Sequence, residues 1–368
     1  MRIGILGFGS MGKTHTYAIK NIPFFFDVSY DVQIVSVCTR NIENAKKASE
    51  RYGILSYTDN EDDIIYNDQI DTVDICTPNI YHYETAKKAI LAGKNVYCEK
   101  PLAVTYKQAK ELSDLAKEKN VKCSMVFNNR FLLPVMRAKE LISEGEIGKI
   151  LSFNVRYLHS SALDTVKNAG WKQDRDICGG GVLFDLGSHA VDLIYHLCGE
   201  FKSVIGKGQI AYPVRAGVDG KKWQTNADEA FYMIATLKCG AYGTLEVSKI
   251  ATGSNDDLTF EIHGEKGSIK FNLMDPNFLD YYSTEDGSQR GYTKIECVNR
   301  YPYPSGIFPG VKAPVGWLRG HIGNYFNFID GVINHKEIHP DLEDGAYVQK
   351  VLECAYISEQ KCCEVEIC

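Results

Sequence analysis

The chain has no run of about 20 apolar residues, the length a membrane span requires, although 44% of its 368 residues are hydrophobic. It has no excess of positive charge either. Lys and Arg total 41 against 47 Asp and Glu, and a net charge of −6 gives no overall field to draw it to nucleic acid or to an anionic membrane. Cysteine is sparse at 12, with no C-x-x-C pair and no Cys/His cluster at zinc spacing. That excludes a disulfide scaffold and reads as reduced thiols in a cytoplasmic protein. The apolar stretch after Met1-Arg2 is short, interrupted by Gly and without a small-residue cleavage site, so it does not read as a signal peptide. What remains has ordinary globular composition and a length for about two domains.

Residues 1–127 alternate short apolar runs with amphipathic stretches. Strands are predicted at Arg2–Leu6, Val32–Cys38, Thr72–Thr77, Asn95–Cys98 and Lys122–Phe127. Helices are predicted at Gly12–Asn21, Asn41–Arg51, Ile80–Leu91 and Thr105–Lys119. Gln33–Cys38 is mostly apolar on both faces, as a parallel sheet covered by helices requires. The fold class is therefore α/β, opening with a Rossmann-type doubly wound parallel sheet. Over residues 128–368 the texture changes to a helix at Leu132–Ser143 and alternating strands at Ile150–Leu158, Ala230–Lys238 and Ala241–Ser248. The last two, joined by Cys239-Gly240, read as a hairpin, which predicts an α+β domain on a largely antiparallel open sheet.

Gly7-Phe8-Gly9-Ser10-Met11-Gly12 matches G-x-G-x-x-G directly between the first strand and the first helix. There, glycines allow a tight turn, close approach of a dinucleotide pyrophosphate and packing of helix on strand, while the helix N-terminus faces the phosphate charge. The second strand lacks the terminal acid that commonly meets an NAD ribose and ends instead in Cys38-Thr39-Arg40-Asn41. Thr39 and Arg40 suit a 2′-phosphate. The expected cofactor is NADP(H), with NAD(H) second. An Arg40 that merely starts the next helix is the plainer alternative.

Two further constellations carry chemistry. In Tyr97-Cys98-Glu99-Lys100-Pro101 a strand runs into a charged pair at its carboxyl end, where open α/β sheets place ligands, so Lys100 is aimed at the crevice. Gly179-Gly180-Gly181 precedes a helix on which Asp185, His189, Asp192 and His196 fall within about 60° at 100° per residue. An ordinary amphipathic helix would have this periodicity too, but the three glycines suggest close backbone approach to a ligand. Asp185 and His189 stand at i, i+4, yet no third ligand follows from spacing and no metal is expected. Leu158–Asp176, with Trp171, Lys172, Asp174 and Arg175, and Tyr301-Pro302-Tyr303-Pro304 before Trp317 read equally as loops over a crevice or as plain surface.

Taken in order, these motifs resemble the glucose-fructose oxidoreductase and inositol dehydrogenase (Gfo/Idh/MocA) family. The likeness also includes Thr77-Pro78-Asn79 with His82, Asn128 with Arg130, and His263-Gly264-Glu265-Lys266-Gly267-Ser268. It implies a cofactor lined by the Gly-rich turn, Thr77, Pro78, Asn79, His82, Glu99, Lys100 and Asn128. It also implies a C-terminal domain that binds substrate and forms a homodimer or homotetramer, and NAD(P)-dependent oxidation or reduction of sugars, anhydrosugars or cyclitols. Positions matching Lys100 and His189 are catalytic in similar members, and that matching Asp185 contacts substrate. Asn129 and Lys172 depart from the common pattern at places that meet substrate, beside Trp171.

In the chemistry so implied, His189 takes the hydroxyl proton, Lys100 bonds the same oxygen, and Asp185 orients His189 or binds a neighbouring hydroxyl. Two rivals stay open. One is glycoside cleavage by transient oxidation and elimination on tightly held NAD. The other is a non-catalytic cofactor-sensing regulator, against which the presence of both Lys100 and His189 argues.

Overall fold

The computed structural model describes residues 1–217, 221–298 and 316–367. These form two units, taken here one at a time. The first contains Met1–Phe131 and Leu318–Ala346. Its strands are β1 (Arg2–Leu6), β2 (Gln33–Cys38), β3 (Ser56–Thr58), β4 (Thr72–Ile75), β5 (Asn95–Cys98) and β6 (Cys123–Met125). All run parallel in the order β3-β2-β1-β4-β5-β6. The order reverses at β1, and the carboxyl ends of β1 and β4 flank the point where such sheets take ligands.

Helices α1 (Ser10–Phe25), α2 (Ile42–Tyr52), α3 (Asp62–Ile65), α4 (His82–Leu91) and α5 (Tyr106–Lys119) make the crossovers. Local sequence sets their ends. Asn41 accepts from the Asn44 N–H to start α2, and Gly53 ends it at φ 62°. Thr105 caps α5 through the Gln108 N–H, and Asn120 ends it at φ 52°. The core joins Ile3, Ile5, Ile19 and Ile22 to Ile322, Tyr325, Phe328 and Ile329 of the helix Trp317–Ile333. Phe26 stacks on Phe326 with ring centroids 3.7 Å apart. Sequence periodicity misses β3 and α3, which are too short to show a period, and starts α1 two residues late.

The second unit runs from Leu132 through the second sheet and resumes at Tyr347. Its elements are α6 (Leu133–Ser143), β7 (Ile150–Leu158), α7 (Arg175–Cys178), α8 (Ser188–Cys198), β8 (Phe201–Gln209), β9 (Val214–Ala216) and β10 (Lys222–Gln224). There follow β11 (Ala230–Leu237), β12 (Tyr242–Ser248), β13 (Asp257–Gly264), β14 (Gly267–Asn272), β15 (Phe278–Ser283), β16 (Thr293–Glu296) and β17 (Val365–Glu366). Nine strands form one sheet in the order β16-β15-β14-β13-β7-β12-β11-β8-β17. The β11–β12 hairpin is as predicted. β7 and β12 instead pair in parallel, the one such pair in this sheet among the described residues.

Along β7 the side chains of Phe153, Val155 and Tyr157 are buried while Asn154 and Arg156 face out, the alternation of a sheet covered on one side. On the uncovered face Ile205, Tyr232, Ile234 and Tyr242 are 44%, 45%, 54% and 64% exposed. Among the described residues one helical run, Arg175–Cys198, is long and apolar enough to cross a bilayer by composition, but 78% of its apolar 18-residue window is buried within the protein. The core accounts for its apolarity.

Candidate active site

In the first unit the Gly-rich turn follows β1. Gly7 adopts φ +91° and its N–H bonds the Cys38 carbonyl at 2.9 Å. A Cβ there would lie 2.6 Å from the Cys76 carbonyl, and one on Gly12 would lie 2.5 Å from the Gly7 carbonyl, so neither position tolerates a side chain. A Cβ on Gly9 would meet nothing within 4 Å. Open space at Gly9, before the N-terminus of α1 with no acid in its first turn, is the cradle a pyrophosphate needs. The residues present therefore fit a dinucleotide. Phe8 packs on Tyr52 at 5.3 Å, while Ser10 is exposed and Met11 half-buried.

At the end of β2, the Thr39 hydroxyl donates to the Asn41 carbonyl at 2.7 Å and Arg40 is exposed. Burial, together with the carboxylates of Glu61, Asp59 and Asp63, pushes the Cys38 thiol up to about 11. Of these three carboxylates, Glu61 is paired with Lys88 at 2.7 Å. Beyond β4, the Thr77 hydroxyl is buried without a hydrogen-bond partner among the described residues. Pro78 leads into a 3-10 turn at Asn79–Tyr81. The His82 ring lies between the Pro101 carbonyl (2.7 Å) and the Thr77 carbonyl (2.8 Å) and is fully buried, so it acts by tying together the chain after β4 and after β5. The Asn128 amide donates to Asn129 at 3.2 Å, and both residues are buried. Arg130 pairs with Asp344 at 3.3 Å.

Lys100 stands just past β5, half-buried, with its main-chain N–H 3.2 Å from Glu99 Oε2. The Glu99 carboxylate turns inward to His15 at 3.2 Å. Burial works against its charge, but the hydrogen bond and charge of His15, then Lys100 and His321, bring it down to about 2. Among the described residues, two trios approach closely enough for an ion by distance alone, His15–Asp74–Cys76 and His339–Asp341–Asp344. In each, the polar atoms are already joined by hydrogen bonds, such as His15–Asp74 at 2.9 Å and His339–Asp344 at 3.2 Å.

In the second unit the glycine triplet is shaped by Asp228. The main-chain N–H groups of Gly181 and Leu183 each donate to its carboxylate at 3.1 Å, the Tyr356 hydroxyl donates to it, and its carbonyl accepts from the Val182 N–H at 2.8 Å. A Cβ on Gly181 would fall 2.3 Å from Asp228 main-chain atoms, and one on Gly180 would fall 2.7 Å from the Tyr356 hydroxyl. Leu183–Gly187 forms a π turn that carries Asp185, and α8 follows directly with His189 as its second residue. The equal 100° steps assumed from the sequence do not hold across this turn, and Asp192 is buried at 1% exposure.

Asp185 is held by two ammonium groups. Lys249 and Lys172 each reach its Oδ2 at 2.9 Å, and Lys172 reaches Oδ1 at 3.1 Å. Lys172 also lies 5.7 Å from the Trp171 ring centre. His189 meets the edge of Tyr157 at 6.1 Å between ring centres. The Tyr157 hydroxyl donates to Asp256 at 2.7 Å, and His159 bonds the same oxygen at 2.9 Å. Burial opposes the charge on Asp256, yet His159, Tyr157 and the nearby His189 hold it below the usual carboxylate range.

The structure brings Lys172, beside Trp171, onto Asp185. Asp174 instead caps α7 through the Asp176 N–H, and Arg175 lies 4.3 Å from the Tyr356 ring centre. The Tyr301–Pro304 loop lies outside the described residues. Lys249, Asp228, Asp256, His15 and Asp74 escape sequence reasoning. Only Lys249, directly after the strand Tyr242–Ser248, carries a positional signal.

A doubly wound sheet with a phosphate-sized cradle, and a second unit presenting a carboxylate and an imidazole, define a dinucleotide-dependent oxidoreductase class. Residues 1–127 match the oxidoreductase family with NAD-binding Rossmann fold, and residues 135–270 match the GFO/IDH/MocA C-terminal domain. The chain belongs to the Gfo/Idh/MocA family of oxidoreductases. It is 32% identical over 364 residues to levoglucosan dehydrogenase of Pseudarthrobacter phenanthrenivorans, covering 95% of this chain and 93% of that one. It is 28% identical over 355 residues to glucose-6-phosphate 3-dehydrogenase of Bacillus subtilis, covering 96% and 94%. A solved levoglucosan dehydrogenase in complex with NADH and levoglucosan superposes with TM-score 0.96 at 32% identity, over 100% of this chain and 98% of that chain.

Proposed function

We propose that the protein is a nicotinamide-dependent dehydrogenase or reductase that moves hydride to or from a carbinol carbon of a sugar, anhydrosugar or cyclitol. The observation that carries this is the pairing of Asp185, gripped by Lys172 and Lys249, with His189 at the start of α8. Two relatives matched over nearly the whole length are a levoglucosan dehydrogenase and a glucose-6-phosphate 3-dehydrogenase. His189 accepts the substrate hydroxyl proton, which suits an imidazole near neutral pH. Lys100 donates a hydrogen bond to the same oxygen and stabilises its developing charge. Asp185 accepts from a neighbouring hydroxyl, with Trp171, Lys172 and Asn129 as further substrate contacts. Bound cofactor supplies the hydride acceptor or donor. The Gly7–Gly12 turn and the start of α1 hold its pyrophosphate, and Thr39, Arg40, Thr77, Pro78, Asn79 and Asn128 line it, while His82 and Glu99 shape that lining from behind.

NAD(H) is the favoured cofactor, in place of the NADP(H) expected from Arg40. Asp59 and Asp63 bring negative charge near the end of β2, and levoglucosan dehydrogenase complexes of known structure contain NADH. The test is absorbance of reduced nicotinamide with NAD(H) and NADP(H) in parallel, against hexoses, inositols, anhydrosugars, their keto forms and chromogenic glycosides. Sugar-dependent reduction of NAD supports the reading. Glycoside cleavage without net cofactor change replaces it with oxidation-elimination, and binding of NAD(H) with no turnover points to a regulator.

The apolar strip of Ile205, Tyr232, Ile234 and Tyr242 suits a homodimer or homotetramer, which light scattering would read directly. Free thiols at every described cysteine suit the cytoplasm.

A further inference from the structure

We propose that Asp74, His15 and Glu99 form a buried charge relay whose purpose is to position Lys100 and to set a fixed negative charge beneath it. The proposal rests on the catalytic reading of Lys100 given above. His15 comes from the inner face of α1, the helix whose N-terminus faces the phosphate cradle. Asp74 comes from the middle of β4, and Glu99 from the residue that follows β5. His15 and Asp74 are wholly buried and Glu99 nearly so. His15 Nδ1 lies 2.9 and 3.1 Å from the two Asp74 oxygens, and Nε2 lies 3.2 Å from Glu99 Oε1. Ionised carboxylates only accept, so an imidazole between two of them donates from both nitrogens and is an imidazolium.

Groups from three elements pack around the trio. From the helix Trp317–Ile333, the Tyr325 hydroxyl donates to Asp74 Oδ2 at 3.0 Å, and His321 lies 6.2 Å from His15 between ring centres. From the end of β4, the Cys76 thiol sits 3.1 Å from His15 Nδ1, and burial pushes it up so that it stays neutral. From β5, Tyr97 meets the His15 ring edge at 5.2 Å, and burial holds its phenol neutral. Burial disfavours a charged His15, but Asp74, through its charge and its hydrogen bond, raises it well above the usual imidazole value. Within the trio, two carboxylates and one imidazolium leave one negative charge. It is delivered through Glu99, whose second oxygen accepts the Lys100 main-chain N–H at 3.2 Å. Lys100 is thereby rooted at its backbone and faced by a counter-charge that does not titrate near neutrality.

The test needs no sugar to begin. In protein labelled with 15N-histidine, one ring should remain doubly protonated from about pH 6 to about pH 9, well past the ordinary imidazole range. That signal should vanish in His15→Gln. If the ring signal that His15→Gln removes instead loses a proton below about pH 7, the relay is overturned. Kinetics then follow with NAD and levoglucosan, or whichever panel sugar turns over. In folded His15→Gln, kcat should fall about tenfold or more at neutral pH while KM for NAD stays within about threefold, the scale on which partners behind a reacting group act.

The kcat profile of that variant should also gain an ionisation, rising with pH as Glu99, beside Asp74 and without its imidazolium, loses a proton. Should His15→Gln fail to fold, Glu99→Gln, which keeps the shape, should show the same loss of kcat without the new ionisation. Wild-type kcat in either folded variant, alongside an inactive Lys100→Met, overturns the relay and leaves the role of Lys100 standing. An active Lys100→Met overturns both.

Discussion

Replacing Asp228 with alanine removes the acceptor around which the chain before Asp185 and His189 is wrapped. The side chain is 9% exposed and takes hydrogen bonds from the Gly181 N–H, the Leu183 N–H and the Tyr356 hydroxyl. Gly181 keeps a second acceptor, the Tyr356 oxygen at 2.8 Å. The Leu183 N–H and the Tyr356 O–H are left without one, at about 1–3 kcal/mol each for a buried donor. Against this, burial raises the Asp228 carboxyl above its usual value, so deleting it recovers part of a desolvation cost. The expected net loss is about 2–4 kcal/mol.

Urea unfolding followed by tryptophan fluorescence measures that loss, and pH gives a second check. A raised carboxyl contributes stability that is complete below its unfolded value of 3.8 and lost as pH rises through its folded value. The deficit of the alanine variant should therefore narrow as pH climbs out of the carboxylate range. Asp228→Asn, which still offers one acceptor, should lose less. An alanine variant within about 0.5 kcal/mol of wild type, or a deficit that widens with pH, refutes the reasoning.

Gly7→Ala should lose at least about 1–3 kcal/mol, because its φ of +91° and a Cβ 2.6 Å from the Cys76 carbonyl both oppose a side chain; NAD(H) titration calorimetry should show weakened binding as well. Asp344, which burial would raise but His339 and Arg130 bring down to about 2, contributes stability present above the usual 3.8 and lost as pH falls through about 2. Asp344→Asn should cost about 2 kcal/mol at neutral pH and flatten the acid limb of a melting-temperature profile. Lys249→Met should raise the sugar KM about tenfold, the worth of about one lost charged hydrogen bond, with calorimetric NAD(H) affinity unchanged.

The first sheet was legible because each of its longer strands is an apolar run followed by a periodic helix, and the Gly-rich turn sits where only strand-turn-helix geometry gives it meaning. The hairpin at Cys239-Gly240 was equally plain, since its signal is local. The parallel pairing of β7 with β12 was not, because it joins strands about ninety residues apart and depends on what lies between. The helix Trp317–Ile333 shows the same limit. Its apolar residues are visible in the sequence, but nothing local says that Tyr325 and Phe328 complete the core of a sheet formed by the first residues of the chain. At the site, motif residues such as Lys100 and Asp185 could be found by spacing. Asp228 and His15, which shape the chain around them, are set by tertiary packing and leave no pattern.

The π turn at Leu183–Gly187 has a consequence for how this scaffold could change its substrate. A π turn amounts to one residue more than an α-helical turn holds. Deleting a residue there would restore a regular helix and swing whatever occupies the position of Asp185 by about 100° relative to α8. The helix bearing His189 could stay seated on its sheet while the carboxylate was aimed elsewhere. In such a turn the length of the chain, rather than the identity of any side chain, acts as the tuning variable, and descendants could part in sugar preference through an insertion or deletion of one codon.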